Sequence, residues 1–338
     1  MPRGRGILAV ALVLPALNLA GTAGCAAPGP VCPERDSVRA PGREGQPSAG
    51  GPSQRAPRQG RTFTANGVEL WYDVWGAGRA SPLVVINGGP GFDHSYMLTT
   101  DVWDRLSRGR PIVVYDQRGT GRSEPFRADG SQTLDNHVAD LEALRVELGA
   151  EQIDLVGHSW GGYLGMAYAT RYPARTAHLV LCGSAAPRFA DSRILLHEYF
   201  PEEIERFEAY VSASRQGGVA PDEPAALRAL ITALFYSAEK RDEFLRSNAG
   251  LRFNQAMNHA LETAVADHDM GPAVRAMRTP TLVLNGRYDA NIAPETAWNI
   301  HKAIAGSRLY FFEASGHFPF VEEPDRFVAL VESFLADR

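Results

Sequence analysis

The sequence predicts an α/β fold: a mostly parallel, doubly wound sheet with a helical cap inserted late in the chain. Three observations point there. Short, nearly unbroken apolar runs recur at 83–86, 112–115, 153–156, 178–181, 281–284 and 308–312, and such runs suit strands buried on both faces. Helical segments separate several of them, notably 133–148 and 294–304, and this alternation is that of βαβ units. Between about 187 and 277 the alternation breaks, and helical, charged stretches such as 201–214 and 223–235 take its place. That span reads as a cap over the C-terminal edge of the sheet, where open α/β sheets bind ligands.

Taken in chain order, residues 1–25 read as an export signal. Arg3 and Arg5 precede the apolar run 7–20, and small residues follow up to Cys25. The run is shorter than the ~20 residues a bilayer crossing takes. Ala23-Gly24-Cys25 resembles the lipobox of bacterial lipoproteins, with Thr22 where an aliphatic residue is usual. Cys25 is therefore the expected lipidation site, with cleavage by an ordinary signal peptidase as the alternative. The expected location is outside the cytoplasm, anchored at the bacterial cell envelope or else periplasmic or secreted. Residues 26–61 are rich in Pro, Gly, Ser, Arg and Gln and hold almost no large apolar residue. They bury too little surface to offset their ordering entropy and read as a flexible tether, or as a leader without a role.

The folded part is expected over 62–186 and 278–338, with the cap over 187–277. Its first element is a hairpin over 62–76, because Asn66-Gly67 supplies the positive φ angles of a type I′ turn between β-rich flanks. The chain has 338 residues, 44% hydrophobic and 22% charged, which suits one catalytic domain with an insertion. A net charge of -5 and a pI near 6.0 give no reason to expect nucleic acid or an acidic polymer as partner. Three cysteines are too few for a disulfide framework, and Cys182 reads as a buried small hydrophobe.

The chemistry centres on Gly157-His158-Ser159-Trp160-Gly161, directly after the 153–156 run and before a stretch of small residues. A serine between two glycines at a strand-to-helix turn has the form of a nucleophile elbow. Taken alone, the pentapeptide also fits a glycine-rich turn. A serine hydroxyl needs a base to take its proton and a carboxylate to orient that base. Asp289 stands just after the 281–284 run and His317 just after the 308–312 run. They are the expected acid and base, although Asp289 also suits a turn before a helix. The tetrahedral intermediate needs two donors on its oxyanion. The backbone N–H of Trp160 is one candidate, its indole a candidate pocket wall, and Gly89, in Asn87-Gly88-Gly89-Pro90-Gly91, is favoured over Gly88 as the other. His158 is expected to pack beneath the turn. His259, His268 and Asp269 show no metal spacing, and no metal or organic cofactor is implied.

The order Ser, Asp, His is that of α/β-hydrolases. Together Asn87-Gly88-Gly89-Pro90-Gly91, the stretch Asp116-Gln117-Arg118-Gly119-Thr120-Gly121-Arg122-Ser123 and Gly157-His158-Ser159-Trp160-Gly161-Gly162 resemble the proline iminopeptidase family of that fold. The resemblance covers about 63–335 and is strongest outside the cap; Asn87 stands where the family usually has histidine. It implies a serine aminopeptidase that releases N-terminal residues from short peptides through an acyl-enzyme. Asp116 and Arg118 then read as a charged pair holding a loop beside the site. Discriminating a free N-terminus needs an anion, and Met257-Asn258-His259-Ala260-Leu261-Glu262 resembles a family cap segment that makes Glu262 the candidate. Ala290 departs from members with an acid directly after the catalytic aspartate, and Glu202, Glu203 and Glu205 are substitutes for that role. The rival reading is an esterase or amidase with the same triad acting on small non-peptide substrates; a binding protein that keeps the fold without turnover is a third.

Overall fold

The computed structural model describes residues 59–215 and 223–337. The expected export signal, Cys25 and nearly all of the tether lie outside the described residues. The hairpin forms as expected: β1 (Arg61–Ala65) and β2 (Val68–Trp75) pair antiparallel, with Asn66 at φ 48° and Gly67 at φ 81°.

Six further strands follow: β3 (Leu83–Ile86), β4 (Ile112–Tyr115), β5 (Ile153–His158), β6 (Thr176–Cys182), β7 (Thr281–Gly286) and β8 (Arg308–Phe312). Together they make an eight-stranded sheet in the order β1-β2-β4-β3-β5-β6-β7-β8. From β4 to β8 all neighbours are parallel, and β2 meets β4 antiparallel. Every residue of β3, β4, β5 and β7 is buried, which is why their sequences carry no polar alternation.

Helices α1 (Val102–Leu106), α2 (Leu134–Glu147) and α3 (Trp160–Arg171) occupy the first half. Thr133 caps α2 by accepting from the Asn136 N–H. The cap carries α4 (Leu196–Tyr199), α5 (Pro201–Arg215), α6 (Glu223–Leu234), α7 (Ala238–Ser247), α8 (Gln255–Val265) and α9 (Gly271–Ala276). After it come α10 (Pro294–Ala303), α11 (Pro319–Glu322) and α12 (Pro324–Ala336). Helix α3 packs against β5 and β6, α10 against β7 and β8.

Topology places the site. The chain runs from β3 to β4 on one side and then returns to β5 on the other. The C-terminal ends of β3 and β5 therefore flank the point where the winding reverses, and there an open α/β sheet leaves a crevice. The glycine loop 87–91 leaves one of these strands and Ser159 leaves the other.

Candidate active site

Ser159 stands between β5 and α3 with φ 56° and ψ -118°, a conformation a non-glycine residue holds only when its surroundings enforce it. Its N–H donates to the Cys182 carbonyl at 2.9 Å, and its own carbonyl accepts from the Gly162 N–H at 3.0 Å. The flanking glycines are required by contact. A Cβ at Gly157 would be driven into the Gly161 carbonyl, and one at Gly161 into that of Ile86.

Asp289 and His317 come together from the loops after β7 and β8. His317 Nδ1 lies 2.7 Å from Asp289 Oδ2. The other carboxylate oxygen accepts from the N–H groups of Asn291 at 2.9 Å and Ile292 at 2.8 Å. With the Nδ1 proton directed at Asp289, Nε2 carries the lone pair. Ser159, His317 and Gly89 line one cavity, so the residues expected to act together meet there. Asn291 lines it too, with Nδ2 3.2 Å from His317 Nε2.

Around the oxyanion position the two glycines separate. The Gly88 N–H is consumed by Tyr96 Oη at 2.5 Å, whereas Gly89 lines the cavity. Trp160 opens α3, so helix geometry supplies no acceptor for its N–H. Asn87 braces the loop: its Nδ2 donates to the Phe92 carbonyl at 2.7 Å, while its own carbonyl accepts from Gln117 at 2.9 Å. His158 packs beneath the turn and also ties the two sides of the site. The Tyr96 hydroxyl donates to His158 Nδ1 at 2.8 Å, and His158 Nε2 donates to the His317 carbonyl at 2.9 Å. Burial, then the neighbouring His317, push the His158 pKa well below that of a free histidine, so the ring stays neutral in this chain of bonds.

Four expectations change. The Trp160 indole is no cavity wall: it donates to Gln117 Oε1 at 3.0 Å and stacks on Tyr163, away from the residues lining the cavity. Asp116 and Arg118 brace the region, but not as a pair. Asp116 accepts from the backbone N–H and ring of His94 and from the Arg122 N–H, while Arg118 forks onto Asp140 with two bonds of 2.6 Å. Glu262 is buried on α8 but does not line the cavity at Ser159, nor do the other acids considered; Glu202 and Glu205 are exposed. Among the described residues, the cavity lining is instead aromatic and aliphatic: Phe92, Phe207, Phe244, Phe253, Phe318 and Leu230 belong to it, and no carboxylate does.

His259 and His268 are exposed, and Cys182 is a buried free thiol. Ligand atoms of Asp93, His94 and Asp116 lie within 4.8 Å of one another. Hydrogen bonds account for that cluster, since Asp93 accepts from the Ser95 N–H and Asp116 from His94.

A doubly wound sheet with an elbow serine at its switch point, an Asp–His pair on the last two strand ends and a helical cap defines an α/β hydrolase. Residues 81–324 match the alpha/beta hydrolase fold family, and the chain belongs to it. In sequence it is proline-iminopeptidase-like: it is 30% identical to the proline iminopeptidase of Xylella fastidiosa, over 78% of this chain and 90% of that one. It is also 32% identical to a 2-hydroxymuconate semialdehyde hydrolase from a Pseudomonas species, over 84% of this chain and 96% of that one. Among solved structures the enol-lactonase from Burkholderia xenovorans superposes with a TM-score of 0.66 at 26% identity, covering 82% of this chain and 100% of that one.

Proposed function

We propose that the protein is a serine hydrolase that cleaves small neutral esters or amides through an acyl-enzyme, with an apolar acyl group seated under the cap. The observation that carries this reading is the cavity shared by Ser159, His317 and Gly89, whose other walls are mostly phenylalanine, leucine and isoleucine. Its free volume is about 40 Å³, which suits a short acyl group. An ammonium group placed there would lose its hydration with no carboxylate to replace it, and that desolvation is costly.

In this mechanism Ser159 Oγ attacks the acyl carbon while His317 Nε2 takes its proton, and Asp289 stabilises the imidazolium. Charge on the carbonyl oxygen falls to the N–H groups of Gly89 and Trp160, and one such donor is worth about 3–4 kcal/mol in a well-studied protease. His317 then protonates the leaving group, and water releases the acid by the reverse sequence. These steps call on no metal or organic cofactor.

The second reading is an aminopeptidase, favoured by the proline iminopeptidase relatives. It needs an anion near the scissile bond. Glu262 is the candidate, on a helix whose Asn258 donates to the Pro90 carbonyl of the oxyanion loop at 2.8 Å. Rates on p-nitrophenyl butyrate, a prolyl arylamide and its N-acetylated form separate the two. The ester is expected to be the best substrate, with the free arylamide no faster than the blocked one. Rapid cleavage of the free arylamide alone overturns the ester reading. Residues 1–25 support a further proposal, an exported protein lipidated at Cys25, checked by the mass of the mature N-terminus and its loss of lipid in Cys25→Ser.

A further inference from the structure

The side chain of Asn291 is buried beside the base. Its Nδ2 donates to His317 Nε2 at 3.2 Å, and its Oδ1 is buried without a hydrogen-bond partner. The amide orientation follows from the base: a lone pair at Nε2 calls for a donor, so NH2 faces it and the oxygen is left over. A buried acceptor of this kind calls for a donor, and Asn291 is among the residues lining the cavity that holds Ser159 and Gly89. Asp289 and His317, by contrast, have their side-chain polar atoms engaged by hydrogen bonds.

We propose that Asn291 is a water-positioning residue that accepts a hydrogen bond from the water attacking the acyl-enzyme. The inference rests on the acyl-enzyme reading above. The chemistry accounts for both protons of that water. Its oxygen bonds to the acyl carbon as one proton passes to His317 Nε2. The second O–H has no base to receive it and stays on the product acid, held by Asn291 Oδ1. The C–Oγ bond then breaks and His317 returns its proton to Ser159. An alcohol in the same place has one O–H only, which His317 takes, and so leaves Oδ1 without a donor. The site therefore discriminates water from alcohols of similar size.

The experiment is acyl partitioning. The protein is given p-nitrophenyl acetate in buffer with a fixed fraction of methanol, and methyl acetate and acetate are both quantified. Their ratio does not depend on how much of a preparation is folded. In Asn291→Ala and in the bulkier Asn291→Leu the methyl ester share is expected to rise at least about threefold, since a group that prefers water has been removed. Asn291→Thr, which keeps an acceptor, is expected to restore the wild-type ratio. An unchanged ratio in the Ala and Leu variants, with Ser159 still labelled by a fluorophosphonate, overturns the inference and leaves the acyl-enzyme intact. Absence of that label in the wild type overturns both.

Discussion

At Ser159 the backbone takes a positive φ that few side chains accept, at a cost of order 1–3 kcal/mol. The strain is held by bonds on both sides, from the Ser159 N–H to Cys182 and from Gly162 to the Ser159 carbonyl. Asp289 is fixed in a comparable way, since one oxygen takes two loop N–H groups and the other is left for His317. Asp289→Asn is expected to lower ester kcat by about 10⁴-fold with KM little changed, because an amide there favours the wrong tautomer of the base. A loss under tenfold, measured by steady-state kinetics, contradicts the role given to Asp289. The positions of these two residues and of Ser159 were legible because each follows a strand-like run. Asn291 was not, since its meaning depends on a ring contributed 26 positions later in the chain. The apolar character of the cavity was equally hidden: Phe92, Phe207, Phe253 and Phe318 are far apart in sequence and read singly as ordinary core.

Among the elements, the cap and the histidine loop are joined by Glu322 at the end of α11. One carboxylate oxygen accepts from the Tyr236 and Ser237 N–H groups at 2.9 and 2.7 Å, the other from Gly316 at 2.7 Å. The His317 N–H adds a bond to the Leu234 carbonyl at 2.7 Å. Glu322→Gln replaces one accepting oxygen by a donor that faces an N–H, and an unmet buried donor costs about 1–3 kcal/mol. Faster amide exchange at Tyr236 and Ser237, by about tenfold, is the expected result; unchanged exchange there removes Glu322 as the tie. The positions of β3, β4, β5 and β7 followed from sequence because each is a wholly buried, mostly apolar run, whereas β8, read the same way, lies at the sheet edge with only Phe312 buried. The short helices α1, α4 and α11 did not follow from it, since four or five residues show no period, and tertiary contacts rather than propensity hold them.

For the whole molecule, buried titratable groups set the response to pH. His137 is pushed down to about 3, by burial first and then by Arg118, and His158 is lowered too. Below pH 6.5 the unfolded chain protonates both and the folded one does not, so stability falls as pH falls. Burial raises Glu322 to about 7; it binds its proton more tightly when folded, which adds stability below about 4.5 that is lost as pH rises toward 7. Two histidines outweigh one glutamate between 4.5 and 6.5, so the net effect there is a loss of stability as pH falls. Above 6.5 the raised pKa of His178, bonded to Asp154, adds to the Glu322 trend. Thermal stability is thus expected to peak near pH 6.5, and a melting temperature that climbs between pH 6.5 and 5 contradicts this balance.

The cap leaves the sheet after β6 and returns at β7, and these strands are hydrogen-bonded neighbours. Nothing of the parallel ladder is interrupted by what lies between them. The cap is in this sense a detachable insert: a change in its length or sequence breaks no bond between β6 and β7, and so leaves the sheet that carries the elbow and the acid–base pair in register.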